Sequence, residues 1–318
     1  MRAMARRLLF AIGVFLAFAT GLGYLGDQNG TLDLFSHFRP HYAALGGLTL
    51  LAGLALRAVP AGAIAVVVLV VNAVPLLPYY WPGNRDAGAE GPTLRVLAAN
   101  LRYRNADLGG ALRLVETERP DIILLTELAP ARHGLLDELA AAYPHRVDAL
   151  TGSSFGVVLL SRWPIRDQSI DVAAGADLPV IGARLCPDDA SGEPATPCLT
   201  VAGFHGAQPV HGHWAARNAQ IDAAVAIAAA APDDRVIVMG DFNLTPWSPV
   251  FGSLLKRAGL RDTARGFGVQ ASRFNDWGPF GLPIDHVLVG TGFAVRDRRL
   301  GPDIGSDHLP VIADLVMR

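Results

Sequence analysis

The chain of 318 residues contains only two cysteines, Cys186 and Cys198, and no Cys-x-x-Cys pair. Structural zinc sites usually need closely spaced cysteines and histidines, so this scarcity argues against one. The interval between the two cysteines is rich in Asp, Glu, Pro and Gly, which indicates a loop between two strands. A disulfide closing this loop suits an oxidising compartment, and two unrelated free thiols are the alternative.

Charged residues are missing from three long stretches near the amino end. No Asp, Glu, Lys or Arg occurs in residues 8–26, 40–56 or 58–84. Each stretch approaches the roughly 20 apolar residues that a helix needs to cross a bilayer. We therefore predict a membrane anchor over residues 1–85 with three transmembrane helices, at about 8–26, 40–56 and 59–80. A buried core hairpin could imitate one segment and a cleaved signal peptide the first, but three in succession favour a retained anchor.

The arginines predict how this anchor is oriented. Arg2, Arg6 and Arg7 lie at the start of the chain, and Arg57 lies in the turn between the second and third stretches. Because Lys and Arg in short loops stay in the cytoplasm, the start is expected inside and everything after the third helix outside. In a bacterium this means a multi-pass protein of the inner (cytoplasmic) membrane, with the region after the anchor in the periplasm or outside the cell.

A basic excess is also missing from the region after the anchor. From Asp86 onward the chain has 27 acidic and 21 basic residues, a formal charge of about −6. Proteins that hold duplex nucleic acid by its phosphates usually have a basic surface, so a strong duplex binder is disfavoured.

The same region alternates strand-like and helical segments after a linker at residues 86–93, and residues 94–318 are expected to form one domain. The predicted strands are 94–99, 122–126, 156–161, 199–204, 236–239, 286–289 and 311–316. The predicted helices are 106–118, 135–142, 214–230 and 251–258. Because strands outnumber helices and several follow each other directly, the pattern favours an α/β fold of two packed sheets with helices outside.

Polar residues stand at the ends of successive predicted strands. They are Asn100, Glu127, His205, Asp241 with Asn243, Asp285, and Asp307 with His308. Singly, each has an ordinary explanation: a solvated strand end, a turn or a structural histidine. Side chains at strand ends can, however, be aimed at one common edge of a sheet. Carboxylates, an amide and an Asp-His pair at one edge are suited to bind a hard divalent cation and activate water against phosphorus.

This set, in this order, resembles the endonuclease/exonuclease/phosphatase (DNase I-like) superfamily, in a membrane-anchored bacterial form. The resemblance runs from about Leu94 to Val316 and includes Pro120-Asp121-Ile122, residues 156–162 and residues 284–287. It implies a four-layer α/β sandwich of two packed mixed sheets, here preceded by the three transmembrane helices, with the site at one end of the sheets.

The resemblance also implies a metal site. Glu127 corresponds to the principal Mg²⁺ ligand of the family, and Asn100 and Asp307 complete the shell directly or through water. Mn²⁺ suits the same oxygen ligands.

Catalytic roles follow from the same resemblance. Asp241 corresponds to the aspartate that orients or deprotonates the attacking water, and Asn243 steadies that water or a phosphate oxygen. His308 is expected at the scissile phosphate, with Asp285 fixing its tautomer or charge. His205 is expected to stabilise the phosphate or protonate the leaving oxygen.

Four further residues are considered around His205. Arg217 and Gln220 match an Arg-x-x-Gln pattern of the family and are expected to brace the site. His211 and His213 could form a metal cluster with His205, although the nearby acids favour a hard cation instead.

Three aromatic residues, Trp247, Phe274 and Trp277, are expected in loops around the site. There they would stack on a base, touch lipid or simply pack.

The sequence therefore predicts a membrane-anchored, divalent-metal-dependent hydrolase of phosphate esters. A phosphodiesterase or nuclease acting outside the cytoplasm is the first expectation. A phospholipid or sphingolipid headgroup phosphodiesterase, or an inositol-phosphate-type phosphatase, is the alternative because of the membrane tether. A non-catalytic binding module of the same fold is the rival of another class. The expected partners are the substrate, nucleic acid or lipid headgroup, and the lipid bilayer; no protein partner can be inferred.

Overall fold

The computed structural model of the chain describes residues 1–82, 86, 88–172, 174–175, 177–188, 192, 197–209, 213–273 and 280–318. Its α-helices are α1 (Arg2–Gly23), α2 (Gly30–Ser36), α3 (Arg39–Ala55), α4 (Val59–Ala73), α5 (Leu77–Tyr80), α6 (Gly109–Glu118), α7 (Gly134–Leu139), α8 (Trp214–Ala229) and α9 (Pro249–Ala258). Its strands are β1 (Thr93–Asn100), β2 (Ile122–Thr126), β3 (His145–Ala149), β4 (Val157–Ser161), β5 (Ile165–Asp171), β6 (Val180–Leu185), β7 (Leu199–His205), β8 (Val236–Asp241), β9 (Arg261–Asp262), β10 (Asp285–Val289), β11 (Phe293–Leu300) and β12 (Val311–Met317).

Two helices near the amino end are long and apolar enough, by length and composition, to cross a membrane. They are Arg2–Gly23 and Val59–Tyr80, each of 22 residues, the second formed by α4, a single 3₁₀ turn and α5. The prediction of three transmembrane helices is met only in part, because α3 has 17 residues and a length of about 26 Å, short of the ~30 Å hydrocarbon core. It is short because its last residues meet a turn in which Arg57 adopts a left-handed conformation, φ 54°.

The amino-terminal helices pack together through small residues and turn large apolar side chains outward. A Cβ at Gly46 on α3 would lie 3.1 Å from the backbone of Leu69 on α4, so the two helices approach closely. Between α1 and α4, Asn72 Nδ2 donates a buried hydrogen bond to Thr20 Oγ1 at 2.9 Å. The outward side chains include Phe15, Phe18, Leu48, Leu51, Leu54, Val67 and Val70. So large an exposed apolar surface is unusual on a soluble protein.

The strands form two mixed six-stranded sheets that pack face to face. Their orders are β11-β12-β1-β2-β4-β3 and β5-β6-β7-β8-β10-β9. Two neighbouring pairs, β1 with β2 and β7 with β8, are parallel, and the other pairs are antiparallel. Apolar side chains from both sheets, such as Leu124 and Met239, fill the space between them. Helices α6 and α7 cover the outer face of the first sheet, and α8 and α9 cover the second. The predicted α/β sandwich is therefore present.

The seven predicted strands all occur, but five strands were missed. Strands β5 and β11 are edge strands with polar, partly exposed side chains, β3 is also an edge strand, and β9 has two residues. Strand β6 is apolar except for Arg184 and carries a glycine, so it gives a weaker strand pattern. An edge strand has no neighbouring strand on one side and has one face in water. It can therefore carry polar residues at most positions and need not show the alternation of apolar and polar residues. In the linker predicted at residues 86–93, Asp86 is bonded to β11 twice: its backbone N–H donates to the Val295 carbonyl oxygen, and its Oδ2 accepts from Val295 N.

The two cysteines lie just outside the adjacent antiparallel strands β6 and β7. Cys186 follows β6, Cys198 precedes β7, and the two are joined by a disulfide with a Cα–Cα distance of 4.2 Å. The bond closes the loop between these strands, of which residues 189–191 and 193–196 lie outside the described residues.

Candidate active site

Six strands bring their polar ends to one end of the sandwich. Because β1 is parallel to β2 and β7 to β8, the carboxyl ends of these four strands point the same way within each sheet. Strands β10 and β12 run antiparallel to β8 and β1 and begin at this end, where Asp285 pairs with Asp241 and Val311 with Ala98. The sheet registers bring together these predicted residues: Asn100, Glu127, His205, Asp241, Asn243, Asp285 and His308.

The backbone around these residues is unusual. A Cβ at Gly240 would lie 2.1 Å from the carbonyl oxygen of Phe204, so glycine allows β7 and β8 to approach closely just before Asp241. Glu127 and Asn243 have φ angles of 60° and 49°, in the left-handed region that costs a non-glycine residue of order 1 kcal/mol or more. Asn243 N is held there by a 2.9 Å hydrogen bond to Asp241 Oδ1. Strain of this kind is concentrated at functional positions.

Glu127 and Asp241 come from different sheets and meet across one amide group. Asn100 Nδ2 donates to Glu127 Oε1 at 2.9 Å and to Asp241 Oδ2 at 3.0 Å. The second oxygen of Glu127 accepts a hydrogen bond from the backbone N–H of Tyr103 at 2.8 Å. Both of these donors to the Glu127 carboxylate are neutral, and the imidazole of His205 is the nearby group that can carry a compensating positive charge.

His205 faces both carboxylates with one ring nitrogen. Its Nδ1 donates to the carbonyl oxygen of Ser154 at 3.0 Å, and Nε2 lies 3.4 Å from Asp241 Oδ2 and 3.8 Å from Glu127 Oε1. Burial alone would lower the pKa of His205, but the hydrogen bond to Asp241 and the two negative charges outweigh it, so the pKa is raised. The ring is therefore favoured in the protonated form beside the acids.

His308 is arranged in a similar way on the other side of Asp241. Its Nδ1 donates to Asp285 Oδ2 at 2.8 Å, and its Nε2 lies 3.7 Å from Asp241 Oδ2. Ser272 Oγ donates to the same Asp285 oxygen at 2.6 Å, which fixes the carboxylate. Burial lowers the pKa of His308, but the charges of Asp285 and Asp241 outweigh burial and raise it.

Asp241 is the shared centre of the site. Burial would raise the pKa of its carboxyl, but the positive charge of His308 and the hydrogen bond from His205 hold that pKa well below its usual range. Asp241 also belongs to both groups of possible metal ligands, Glu127–His205–Asp241 and Asp241–Asp285–His308, whose ligand atoms lie within 4.8 Å of one another. Two carboxylates separated by a single neutral amide suit a hard divalent cation, so the residues present fit Mg²⁺ or Mn²⁺.

Asp307 stands apart from these two groups. Its carboxylate is paired with the guanidinium of Arg273, whose backbone forms an isolated bridge with His308. Sequence reasoning missed Arg273 and Ser272, because both lie in an irregular segment with no strand-end or spacing signal. The metal-ligand role predicted for Asp307 requires its carboxylate to leave Arg273 or to act through water.

Gln220 and Arg217 occupy one helix but make different contacts. Gln220 Nε2 donates to the carbonyl oxygen of His205, and its Oε1 accepts from Ala207 N, both at 2.8 Å. This pair of bonds holds the chain directly after β7. Arg217, one turn earlier, pairs with Asp33 of the amino-terminal region at 2.9 Å.

The remaining candidates lie around the site or outside the described residues. Trp247 is buried and its Nε1 donates to the carbonyl oxygen of His37, so it packs against the amino-terminal region. His213 is exposed just before α8 and is in neither group of possible metal ligands among the described residues. His211, Phe274 and Trp277 lie outside the described residues.

Comparison with known proteins agrees with this arrangement. The profile of the family described as "Endonuclease/Exonuclease/phosphatase family" matches residues 97–308, which include every predicted site residue. No curated protein sequence matches the chain significantly.

Several solved structures share the fold. An endonuclease/exonuclease/phosphatase from Beutenbergia cavernae DSM 12333 is 21% identical with a TM-score of 0.57, over 71% of this chain and 72% of that one. Sphingomyelinase C from Streptomyces griseocarneus is 21% identical with a TM-score of 0.51, over 70% of this chain and 99% of that one. D. rerio TDP2 complexed with a single-strand DNA product is 16% identical with a TM-score of 0.54, over 70% and 98%. At these identities the similarity concerns the fold.

Proposed function

Because this chain belongs to the endonuclease/exonuclease/phosphatase family, we propose that it is a divalent-metal-dependent phosphodiesterase held at a membrane. The observation that carries the proposal is the meeting of Glu127, Asp241 and two histidines at one end of the sandwich, with Asp241 between the histidines. A binding module would gain nothing from placing four titratable groups so close together. The rival of a non-catalytic module is therefore disfavoured.

The metal would be held by Glu127 and Asn100, and Asp307 would join them only through water or after leaving Arg273. Bound there, Mg²⁺ or Mn²⁺ would neutralise charge on the phosphate and lower the pKa of a water molecule. Glu127 suits this position because its side chain is more exposed than those of His205 and Asp241, and because the two hydrogen bonds described above come from neutral donors.

The protein's own groups would then position and move protons. Asp241, kept ionised by the neighbouring histidines, would orient the attacking water and accept its proton. His308, with its Nδ1 proton directed at Asp285, can offer an Nε2 proton to a phosphate oxygen. In His205 the Nδ1 proton is likewise donated, here to the carbonyl oxygen of Ser154. Its Nε2 is therefore the nitrogen that can stabilise charge on the phosphate or protonate the leaving oxygen. Asn243 would steady the water or a phosphate oxygen.

Membrane attachment is the second part of the proposal. Two helices have the length and composition of membrane spans, and α3 would lie between them in the bilayer. The amino end and the turn at Arg57 lie together, since Arg6 Nε donates to the carbonyl oxygen of Leu56 at 2.8 Å. The sandwich lies at the other end, where Tyr79 Oη donates to Asp262 and Gly268 N donates to the Tyr79 carbonyl. With the arginines in the cytoplasm, the catalytic residues would face the periplasm or cell exterior, where the Cys186–Cys198 disulfide is stable.

The test uses the full chain purified in detergent. We expect Mg²⁺-dependent cleavage of bis(p-nitrophenyl) phosphate, complete loss with EDTA and recovery with Mg²⁺ or Mn²⁺. Glu127→Gln and Asp241→Asn should each lower the rate by about 10²-fold or more. Asp222→Asn is the matched control, because Asp222 is exposed on α8 and forms a surface ion pair with Arg257 of α9. Equal rates in Asp241→Asn and Asp222→Asn would refute the assignment of the catalytic centre.

A parallel substrate panel addresses the class of ester. Single- and double-stranded DNA, RNA, inositol phosphates and phospholipids would be compared under the same conditions. A nuclease would prefer the nucleic acids, and a lipid phosphodiesterase would prefer the micellar lipids.

A further inference from the structure

The amino-terminal region contributes residues to a cavity beside the proposed catalytic centre. The cavity has a volume of about 230 Å³. One wall is formed by Leu34, His37 and Phe38 of the segment between α1 and α3, which contains α2 and is called the first loop below. The other wall belongs to the sandwich and includes Asn243, Arg273 and Ile284. Asn243 is hydrogen-bonded to Asp241 through its backbone N–H, and Arg273 is paired with Asp307. We call this space the junction cavity. A group that occupied it would lie directly next to the site of phosphate cleavage.

The loop that forms one wall is fixed to the sandwich by buried polar contacts. Asp33 has no exposed side-chain area; one of its oxygens pairs with Arg217 at 2.9 Å and the other accepts from Ser248 Oγ at 2.6 Å. Trp247 Nε1 donates to the carbonyl oxygen of His37 at 3.1 Å. These contacts hold the wall in a defined place, so it is part of the site's architecture.

A second point of attachment lies at the start of α2. A Cβ added to Gly30 would lie 2.4 Å from the Cβ of Trp214, the first residue of α8. The two helix starts therefore touch, and no side chain can be placed between them.

His37 is an unusual member of the wall. Its side chain is 96% buried, and within the part of the chain that the structure describes neither ring nitrogen has a hydrogen-bond partner. Buried polar groups almost always have a partner. Both His37 nitrogens lie beneath the cavity surface with almost no accessible area, so a bound group could supply that partner after a small shift of the wall. Its neighbours Leu34 and Phe38 are apolar, so the bound group would present both apolar surface and a hydrogen-bonding atom.

The position of the wall indicates where such a group comes from. The loop joins α1 to α3, and both helices direct large apolar side chains such as Phe18 and Leu51 outward. On the membrane attachment proposed above, the junction cavity lies at the bilayer surface, within reach of lipid headgroups. A soluble polyanion would instead have to approach a domain with a formal charge of about −6.

We propose that the junction cavity is a substrate subsite for the headgroup region of a membrane phospholipid, with Leu34, His37 and Phe38 as specificity-determining residues. The proposal rests on the proposed phosphodiesterase function, since it names the substrate class of that same site. The lipid's phosphodiester would reach Asp241 and His308 from the membrane side, while its glycerol or sphingoid region contacts Leu34 and Phe38. An ester or hydroxyl oxygen of the lipid would be the partner of His37 once the wall has shifted to uncover a ring nitrogen. The amino-terminal region would thus select the substrate as well as hold the enzyme at the membrane.

The experiment compares a lipid with a small soluble diester on the same full-length enzyme in detergent. The lipids are phosphatidylcholine, phosphatidylethanolamine, phosphatidylglycerol and sphingomyelin in mixed micelles, and the soluble probe is bis(p-nitrophenyl) phosphate. We expect at least one lipid to be cleaved with a higher kcat/KM than the soluble probe. Leu34→Asn and His37→Phe should lower kcat/KM for that lipid about tenfold or more relative to the soluble probe, because each removes a contact made only by the larger substrate. Leu34→Asn keeps the branched shape of the side chain, and His37→Phe keeps a planar ring.

A matched control and three outcomes make the test decisive. Leu51→Asn makes the same substitution on the outward face of α3 and should leave the ratio of the two kcat/KM values unchanged. Cleavage of bis(p-nitrophenyl) phosphate and of DNA or RNA, with none of the four lipids turned over, would overturn the subsite while the phosphodiesterase function stands. An equal loss for lipid and soluble probe in His37→Phe would also overturn it, because that pattern means distortion of the catalytic centre. Failure to cleave any diester would refute the proposed function itself.

Discussion

The buried ion pair between Asp33 and Arg217 makes a strong prediction about how the amino-terminal region and the sandwich depend on each other. Both side chains are 0% exposed and their closest atoms are 2.9 Å apart. Asp33→Asn would leave the Arg217 guanidinium buried without a counter-charge, while the volume of the side chain stays the same. Removing one partner of a buried pair typically costs about 3–5 kcal/mol.

The loss can be measured as a shift in urea denaturation of the full chain in detergent. Tryptophan fluorescence is a suitable signal, because Trp214 and Trp247 both contact the first loop. With a urea m-value of about 3 kcal/mol per molar, a loss of 3–5 kcal/mol lowers the midpoint by about 1–2 M. Gln220 lies on the same helix as Arg217 and holds the chain after β7, so the rate of phosphodiester cleavage should fall at urea concentrations below the wild-type midpoint.

The control is the exposed pair between Asp222 and Arg257 on α8 and α9. Its closest atoms are 2.7 Å apart, but its side chains are 60% and 46% exposed, and such a pair contributes about 0–1 kcal/mol. Asp222→Asn should therefore shift the midpoint by less than about 0.3 M. The double variant Asp33→Leu/Arg217→Met should recover much of the loss, because no charge is left buried and unpaired. Equal shifts for Asp33→Asn and Asp222→Asn would refute the reasoning.

Four other predictions concern catalysis, pH, the disulfide and the membrane topology. His308→Asn should lower the rate of bis(p-nitrophenyl) phosphate cleavage by about 10²-fold or more. Asp285→Asn should lower it by less, because Asp285 acts through His308. Equal activity of His308→Asn and wild type would contradict the mechanism. Burial lowers the pKa of His37 from 6.5 to about 4, so the unfolded chain binds a proton first as the pH falls. The free energy of unfolding should be independent of this group above about pH 6.5 and decrease by about 3 kcal/mol between pH 6.5 and 4, and His37→Phe should flatten that profile. Cys186→Ser should lose at most roughly 3 kcal/mol and keep its cleavage rate, and labelling without reductant should find no free thiol in the wild type. A reporter fused to the carboxyl end should give its signal outside the cytoplasm, and a cytoplasmic signal would overturn the proposed topology.

Local patterns account for what could be predicted of the fold. The apolar runs of β1, β2, β4 and β8 are buried on both faces, so their composition alone marks them as strands. The polar residues at their ends were recognisable for the same reason, since each interrupts an apolar run. The edge strands β5 and β11 escaped prediction because only their neighbours in the sheet make them strands.

The amino-terminal stretches show what local composition predicts and what depends on the rest of the structure. The absence of charge predicted helices over residues 8–26 and 59–80, and the structure has helices Arg2–Gly23 and Val59–Tyr80. The middle stretch also forms a helix, but its length is limited by the turns on either side. An apolar composition indicates that a segment is buried in an apolar medium. The length of its helix depends on something else, namely where the caps at its two ends form.

The sequence by itself determined the family, the α/β sandwich and the set of polar strand ends, because these follow from composition, periodicity and order along the chain. Only the tertiary structure decided which of these groups meet: that Asp241 lies between two histidines, that Asp307 pairs with Arg273, and that Arg217 pairs with Asp33. Asp33 and Arg217 are 184 residues apart, and a charge on a helix carries no local mark of its partner. The wall that the first loop adds to the junction cavity is a consequence of that distant contact, because a pocket is formed by surfaces that fold together and not by any one segment.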